Sequence, residues 1–257
     1  MSSQGPIPNI LSPLDLDTEI LLAHAFKIDR LHLRMALADF RNLIKRRQTG
    51  EPVAYLTGVK EFFGYELEVN SHVLIPRPDT EKLVELALER LPPNQAFKII
   101  DVCTGSGCIA ISIALQRPLV QIIATEISLK SAEVARKNIR KYGLEDRVEV
   151  RVGNLLDPIS LGNFDLIVSN PPYVKPKAMQ ELMPDVQKFE PHLALEGLGE
   201  NGLGYHEEIL KKAFALLKKS GSVLLEIGYD QGSFFKGLGR VIKDDAGNDR
   251  VVEILNG

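Results

Sequence analysis

Cysteine is scarce in this chain of 257 residues: only Cys103 and Cys108 occur, both in one apolar, glycine-containing stretch. Two thiols so placed do not make a disulfide framework, and they fit a reducing compartment. The five histidines are scattered, with no HxxxH pair and no His/Cys cluster at ligand spacing, so no metal site is expected. A run of about 18 apolar residues is also missing, which excludes a membrane-spanning helix. Met1 to Asn9 contains no basic residue and no apolar core, so neither a secretory nor a transit peptide is expected and the cytoplasm is the expected setting. Positive charge is not in excess: 31 Lys and Arg against 34 Asp and Glu give a net charge of -3. No global field is available to gather nucleic acid or an anionic membrane, and direct nucleic-acid binding is not expected. The Lys45-Arg46-Arg47 triplet reads as the solvated end of a helix.

The length and a 44% apolar content suffice for a large α/β domain plus a small accessory unit. Leu14 to Gln48 is dense in helix formers and lacks Pro and Gly, which predicts a helical unit over residues 1–50. Gly50-Glu51-Pro52 ends it. Tyr65, Leu67 and Val69 alternate with Glu66 and Glu68, and with Ala54-Tyr55-Leu56 ahead of them they suggest a β-hairpin linker over 51–75. From 76 to 257 the rhythm becomes strand, turn, helix. Asp79-Thr80 supplies capping chemistry for a helix over 81–90. Strands are expected at 98–102, 121–125, 148–152, 164–169 and 222–227, with helices at 108–115 and 128–142. This alternation predicts a Rossmann-like α/β fold, a parallel sheet covered by helices on both faces. Arg240 to Lys243 and Arg250 to Leu255, joined by a turn-rich segment, predict a closing antiparallel pair.

Two loops carry the chemistry. Asp101-Val102-Cys103-Thr104-Gly105-Ser106-Gly107-Cys108 follows an apolar strand and opens a helix, where a nucleotide-binding turn belongs. Glu126 ends the next strand, placed to accept hydrogen bonds from both hydroxyls of a ribose. The glycine pattern alone does not separate a nicotinamide cofactor from S-adenosylmethionine. The carboxylate of Asp101 favours the second, because it repels a pyrophosphate and attracts the ammonium and sulfonium of the methyl donor. Asn154-Leu155, closing the third strand, reads either as an adenine contact or as the start of a turn before Asp157-Pro158.

The strand over 164–169 delivers Asn170-Pro171-Pro172-Tyr173 to the carboxyl edge of the sheet. A planar nitrogen with a delocalised lone pair is a poor nucleophile and has to be aimed along the carbon–sulfur axis of the donor. The side-chain oxygen of Asn170 accepts one N–H in this reading, and the carbonyl of Pro171 accepts the other. The prolines stiffen the turn, and Tyr173 offers a flat face to a planar group. No strong general base is required, since alignment and stabilisation of the developing charge supply most of the acceleration.

These stretches together resemble the HemK/PrmC family of glutamine methyltransferases over nearly the whole chain. The matching blocks are residues 50–55, 75–81, 103–107 and 170–173, with Phe189-Glu190-Pro191, Ala194-Leu195, Asn201-Gly202-Leu203 and Leu225-Glu226-Ile227-Gly228. The resemblance implies an S-adenosylmethionine-dependent enzyme that methylates the glutamine of the Gly-Gly-Gln motif of class 1 peptide chain release factors. It places the donor on Cys103, Thr104, Gly105, Ser106, Gly107, Glu126, Asn154, Leu155 and Asn170. The glutamine amide falls on Asn170, Pro171, Pro172 and Tyr173, and a monomer is expected. It also implies that the helical unit and the hairpin grip the release factor. Two departures stand out: the helical unit is shorter than is usual in the family, and Cys103 and Glu126 stand where glycine and aspartate are commoner. The alternatives are an adenine-N6 methyltransferase on RNA or DNA, which shares the Asn-Pro-Pro-Tyr signature, a glutamine methyltransferase of a ribosomal protein, and a noncatalytic binding module. Pro76-Arg77-Pro78 and Glu190-Pro191 read equally as rims of the site and as turns that stiffen the chain.

Overall fold

The computed structural model of the protein describes residues 14–257; the expectation for Met1 to Asn9 lies outside them. The chain divides into two compact units, the division falling between Leu56 and Thr57. In the first, α1 (Leu16–Phe26) and α2 (Arg30–Gln48) form a helical hairpin. Asp15 and Asp29 cap them, accepting from the backbone N–H of Thr18 (2.8 Å) and His32 (3.1 Å). Between them Lys27 turns the chain in the left-handed region at φ 55. Glu19 on α1 receives both Arg30 (3.0 Å) and Arg34 (2.8 Å) from α2. Lys45, Arg46 and Arg47 fill the last turn of α2, beside its partly negative carboxyl end.

The hairpin begins later than its sequence suggests. Ala54-Tyr55-Leu56 is not strand but part of a short helix, α3 (Val53–Thr57), because the carbonyl of Pro52 collects the N–H groups of Tyr55 (3.0 Å) and Leu56 (3.1 Å). A proline just ahead of a helix has its φ already set for that turn. The strands β1 (Val59–Phe62) and β2 (Tyr65–Glu68) then pair antiparallel. Phe63 and Gly64 between them both take positive φ, 51 and 78, the mirror-image turn whose twist matches a two-residue hairpin. This hairpin lies within the second unit and is bound tightly to it. Glu81, opening α4 (Glu81–Arg90), accepts the N–H of Phe63 at 2.9 Å. On α6 (Leu129–Lys141) the buried Asn138 takes the N–H of Glu68 (2.7 Å) and donates to its carbonyl (2.9 Å).

The second unit is built on a seven-stranded sheet. Its strands are β3 (Phe97–Val102), β4 (Val120–Glu126), β5 (Val148–Val152), β6 (Phe164–Ser169), β7 (Leu217–Glu226), β8 (Arg240–Lys243) and β9 (Asp249–Leu255), in the order β5-β4-β3-β6-β7-β9-β8. The first five are parallel, and β9 and β8 close the edge antiparallel, as the tail of the sequence leads one to expect. Strand β3 sends Ile99 to one face and Ile100 to the other, each completely buried, so it reads as a continuous apolar run. On the Ile99 face α4 and α5 (Cys108–Gln116) contribute Leu83, Ala87, Ile109 and Ile113.

The opposite face is covered by α8 (Gly204–Leu216), which the sequence reading did not place; Ile209 and Ala213 are its fully buried contacts. It starts on a glycine without a side-chain cap, so the usual start signal is missing. A further short helix, α7 (Pro184–Phe189), lies in the long connection between β6 and α8. The chain runs from β3 to β4 and β5 on one side, then crosses to β6 on the other. The carboxyl ends of β3 and β6 therefore diverge and open a crevice, where ligands of such sheets bind.

Candidate functional site

That crevice is a cleft in the second unit. Cys103, Thr104, Gly105 and Ser106 from the loop after β3 line it, together with Glu126, Asn154 and Leu155 from the next two strand ends and Asn170 and Pro172 from the loop after β6. Nine of the thirteen site residues expected from the sequence therefore face one space. The other four, Asp101, Gly107, Pro171 and Tyr173, are not on its wall.

The loop after β3 is held mostly by backbone. The Thr104 N–H bonds the Thr125 carbonyl (3.0 Å), and the Gly107 N–H bonds the Thr104 carbonyl (2.8 Å). Gly107 stands at the head of α5 with φ 85, and a Cβ there would meet Ile111 at 3.1 Å and Ala135 at 3.6 Å. It shapes the turn and lets α5 pack closely. Glu126 locks the loop from below: its two oxygens accept the N–H groups of Gly105 (3.0 Å) and Ser128 (2.9 Å). A carboxylate has about four acceptor positions, so two remain for hydroxyl donors in the cleft. Asn138 extends this bracing, donating to the Ser106 carbonyl at 2.9 Å while it holds the hairpin.

Asp101 is completely buried behind the loop, where Oδ2 accepts the Thr104 hydroxyl at 2.6 Å. Its Oδ1 has no hydrogen-bonded partner among the described residues. Burial pushes this carboxyl up to about 7, because its charged form is disfavoured away from water. Burial also raises the Cys103 thiol far above its ordinary value and Cys108 to about 12, which keeps both neutral and unreactive. Leu155 adopts φ 46, an uncommon conformation for a leucine, and is nearly buried against the floor of the cleft.

Across the cleft, Asn170 is fixed by a side chain. Its Nδ2 donates to the hydroxyl of Thr80 at 3.0 Å. Thr80 is buried and makes no side-chain cap for α4, so the capping role read from the sequence gives way to this contact. Its neighbour Asp79 pairs instead with Arg250 (3.0 Å). Tyr173 does not present its ring to the cleft: its hydroxyl turns inward and donates to Glu226 Oε1 at 3.2 Å. Burial holds that phenol far above its usual range and pushes the Glu226 carboxyl to about 7. Pro171 is buried within the same turn.

The exit of the turn is also braced. Gln231 donates to the carbonyls of Tyr173 (3.0 Å) and Asn201 (2.8 Å), and Val174 and Gly197 exchange backbone bonds with their surroundings at 2.9 Å. Gly202 sits so close that a Cβ would lie 2.4 Å from the Tyr173 carbonyl, which only glycine tolerates.

The rims contain the residues the sequence left open. Arg77 donates to Glu190 Oε1 (2.5 Å), whose second oxygen accepts the Ile75 N–H (3.2 Å). Pro76, Arg77 and Pro191 line the cleft beside Ala194 and Tyr205. Both short blocks are thus rim and brace at once. Thr80, Glu226 and Tyr205 were missed as site residues. Glu226 had a readable signal, a single carboxylate ending the apolar run Val223-Leu224-Leu225; Tyr205 on the unplaced α8 had none.

Among the described residues no group of His, Cys, Asp and Glu is arranged to hold a metal, and no helix is long and apolar enough to cross a membrane. Residues 80–189 match the model of the methyltransferase small domain, and residues 14–58 match that of the PrmC N-terminal domain. A solved structure of a methyltransferase from Pyrococcus furiosus shares the fold with a TM-score of 0.57 at 20% identity, over 84% of this chain and 98% of that one. The release factor glutamine methyltransferase of Moorella thermoacetica is 41% identical over 253 residues, 91% of this chain and 89% of its own. That of Clostridium acetobutylicum is 40% identical over 228 residues, 84% of this chain and 80% of its own. With this identity over this much of both chains, and with the methyltransferase fold under it, the protein belongs to the release factor glutamine methyltransferase family.

Proposed function

We propose that the protein methylates the side-chain amide nitrogen of the glutamine in the Gly-Gly-Gln motif of class 1 peptide chain release factors, with S-adenosylmethionine as donor. The reading is carried by one observation: Asn170 spends its NH2 group on Thr80, so its oxygen is the part left to receive an N–H from an acceptor amide. The Pro171 carbonyl receives the second N–H in this reading. Together the two acceptors orient a planar amide, which a hydroxyl or carboxyl acceptor would not satisfy.

The cleft fits the donor. Glu126 has acceptor capacity left for the ribose hydroxyls, and Asn154 and Leu155 line the same cleft, where they suit the adenine. When bound, S-adenosylmethionine supplies a methyl group already activated by its sulfonium. The protein's own contribution is orientation and a field of acceptors for the charge that develops on the nitrogen. Neither Cys103 nor Tyr173 ionises near neutral pH, so neither serves as nucleophile or anionic base. The helical unit 1–50 and the hairpin are the parts assigned to docking the release factor. The protein is taken to act as a monomer in the cytoplasm.

The test is mass spectrometry of an unmethylated release factor incubated with the protein and S-adenosylmethionine, beside RNA and DNA controls. One added methyl on the Gly-Gly-Gln glutamine is the expected result. Methyl found only on nucleic acid would replace this function with adenine methylation.

A further inference from the structure

Gln231 is 4% exposed and is absent from the wall of the cleft. It stands in the turn after β7, where its backbone N–H bonds the Gly228 carbonyl at 2.9 Å. A primary amide has two hydrogens and an oxygen to place, and burial makes each costly to leave unpaired. All three are placed within the protein. Nε2 gives one hydrogen to the Tyr173 carbonyl at 3.0 Å and the other to the Asn201 carbonyl at 2.8 Å. Oε1 accepts the Gly228 N–H at 2.7 Å. The orientation of the amide is thereby unambiguous, because a half-turn about its last bond sets oxygen against two carbonyls and NH2 against an N–H.

The three partners belong to three segments of the chain. Tyr173 closes the loop 170–173, Asn201 lies in the connection that enters α8, and Gly228 follows β7. Tyr173 and Asn201 stand 58 and 30 positions from Gln231. Two carbonyls directed at one point repel each other, so loop and connection stay together only while a group with two N–H donors lies between them. Glycines clear the space for that group. A Cβ on Gly202 would lie 2.4 Å from the Tyr173 carbonyl oxygen and 3.3 Å from Gln231 Nε2, and one on Gly228 would lie 3.0 Å from Oε1. Asn201 passes the constraint on: its Oδ1 accepts the N–H of Leu203 at 3.0 Å, at the entry to α8, and Tyr205 in the first turn of that helix lines the cleft.

The joint bears on the acceptor groups because the loop 170–173 is stiff. Pro171 and Pro172 have φ fixed by their rings and carry no N–H. At one end the Asn170 side chain is anchored on Thr80 (3.0 Å). At the other, Tyr173 is anchored twice, by its hydroxyl on Glu226 (3.2 Å) and by its carbonyl on Gln231. Of these three anchors only Gln231 grips the main chain. We infer that Gln231 is a positioning residue for methyl transfer: its amide sets the main chain of the loop, and so the aim of the Asn170 oxygen and the Pro171 carbonyl at the methyl acceptor. The inference rests on the proposed function, in which those two groups receive the acceptor amide. It makes a residue outside the cleft answerable for rate and not for donor binding.

The experiment uses the full chain, an unmethylated class 1 release factor and labelled S-adenosylmethionine, with Gln231→Glu, Gln231→Met and Asn170→Ala beside the wild type. Gln231→Glu is near-isosteric and keeps an acceptor for Gly228, but an ionised carboxylate has no hydrogen for Tyr173 or Asn201. Gln231→Met keeps the length of the side chain and removes all three bonds. Calorimetry gives donor affinity and counts the donor-binding sites, and rates are expressed per site. Both variants should bind the donor as the wild type does and lose roughly 10- to 100-fold in kcat, the cost of a small misplacement of reacting groups. The kcat/KM for the release factor should fall by the same factor, as for an interaction felt in the transition state and not in docking. A double-mutant cycle adds a readout that a purely structural role does not move: with Asn170 already replaced by Ala, Gln231→Glu should cost much less further rate, because the group it aims is gone. A wild-type kcat per site in either variant, a comparable loss of donor affinity, or full additivity in the cycle overturns the inference. Where Gln231→Glu does not fold, Gln231→Met decides; failure of both to fold assigns Gln231 to the fold itself and also overturns it. Beside an inactive Asn170→Ala, those outcomes defeat the role of Gln231 alone. An active Asn170→Ala defeats the reading on which it rests.

Discussion

The two walls of the cleft are built by different means. On the side of the loop after β3, the ligand-facing residues are set by main-chain bonds and by one carboxylate, Glu126, that grips two N–H groups. On the side of Asn170, the amide is held by the Thr80 side chain, and Tyr173 of the same loop is held by another side chain, the fully buried Glu226. Backbone geometry of the first kind follows from the order of glycines and strand ends and survives most side-chain changes. A chain of side chains fails at any link. The donor wall should therefore lose binding by degrees when altered, and the acceptor wall should lose rate.

The largest effect is expected from Asn170→Ala. A rate loss of about 100- to 1,000-fold in kcat, the scale of one lost transition-state hydrogen bond, should appear with donor affinity almost intact. Steady-state kinetics beside calorimetry check this, and a large loss of donor binding would dissolve the contrast between the walls.

Glu226→Gln tests the acceptor wall through stability. The folded carboxyl stands at about 7 against an ordinary 4.5, so folding favours its protonated form. Its contribution is full below about pH 4.5 and is lost as pH rises through 7, an effect of about 3 kcal/mol. The variant has no such titration. The difference in unfolding free energy should shift towards it by roughly that amount between pH 4.5 and 8, read by denaturant titration at both. Asp101, raised in the same direction, is present in both proteins and cancels.

Glu126→Ala is the matching change on the donor wall. It removes acceptors for the ribose and releases Gly105 and Ser128, so donor affinity should fall by roughly 10- to 100-fold, as for hydrogen bonds to a charged group. Calorimetry giving unchanged affinity would remove Glu126 from the site.

The smallest effect is expected from Gly107→Ala. A left-handed backbone with a Cβ against Ile111 should cost about 1–2 kcal/mol of stability. On a chain of this length that is a few degrees in Tm by calorimetric scan, with kcat little changed once the donor is bound.

Much of the fold was legible because its local signals agree with its packing. Strands at 148–152 and 164–169 and the helix at 81–90 occupy the residues their patterns indicate. Apolar runs bounded by turn residues leave little freedom there. Ala54 to Leu56 misled because three residues carry no period, and the preceding proline favoured a helical turn. Helix α8 was missed because it lacks a cap and starts at glycine.

By itself the sequence determined the order of the strands of the large sheet and the helices over 81–90, 108–115 and 128–142, the glycines of the loop after β3, the carboxylate at the end of β4 and the Asn-Pro-Pro-Tyr loop, since each is a matter of local propensity and spacing. Only the tertiary structure decided that Thr80 serves Asn170 instead of capping α4, that Tyr173 turns inward to Glu226, and that Asp101 supports its loop from behind. Thr80 and Asn170 are 90 positions apart, and Tyr173 and Glu226 are 53. Contacts between side chains so distant in the chain have no local pattern; they form when the sheet brings the strand ends together and each buried polar group must find a partner.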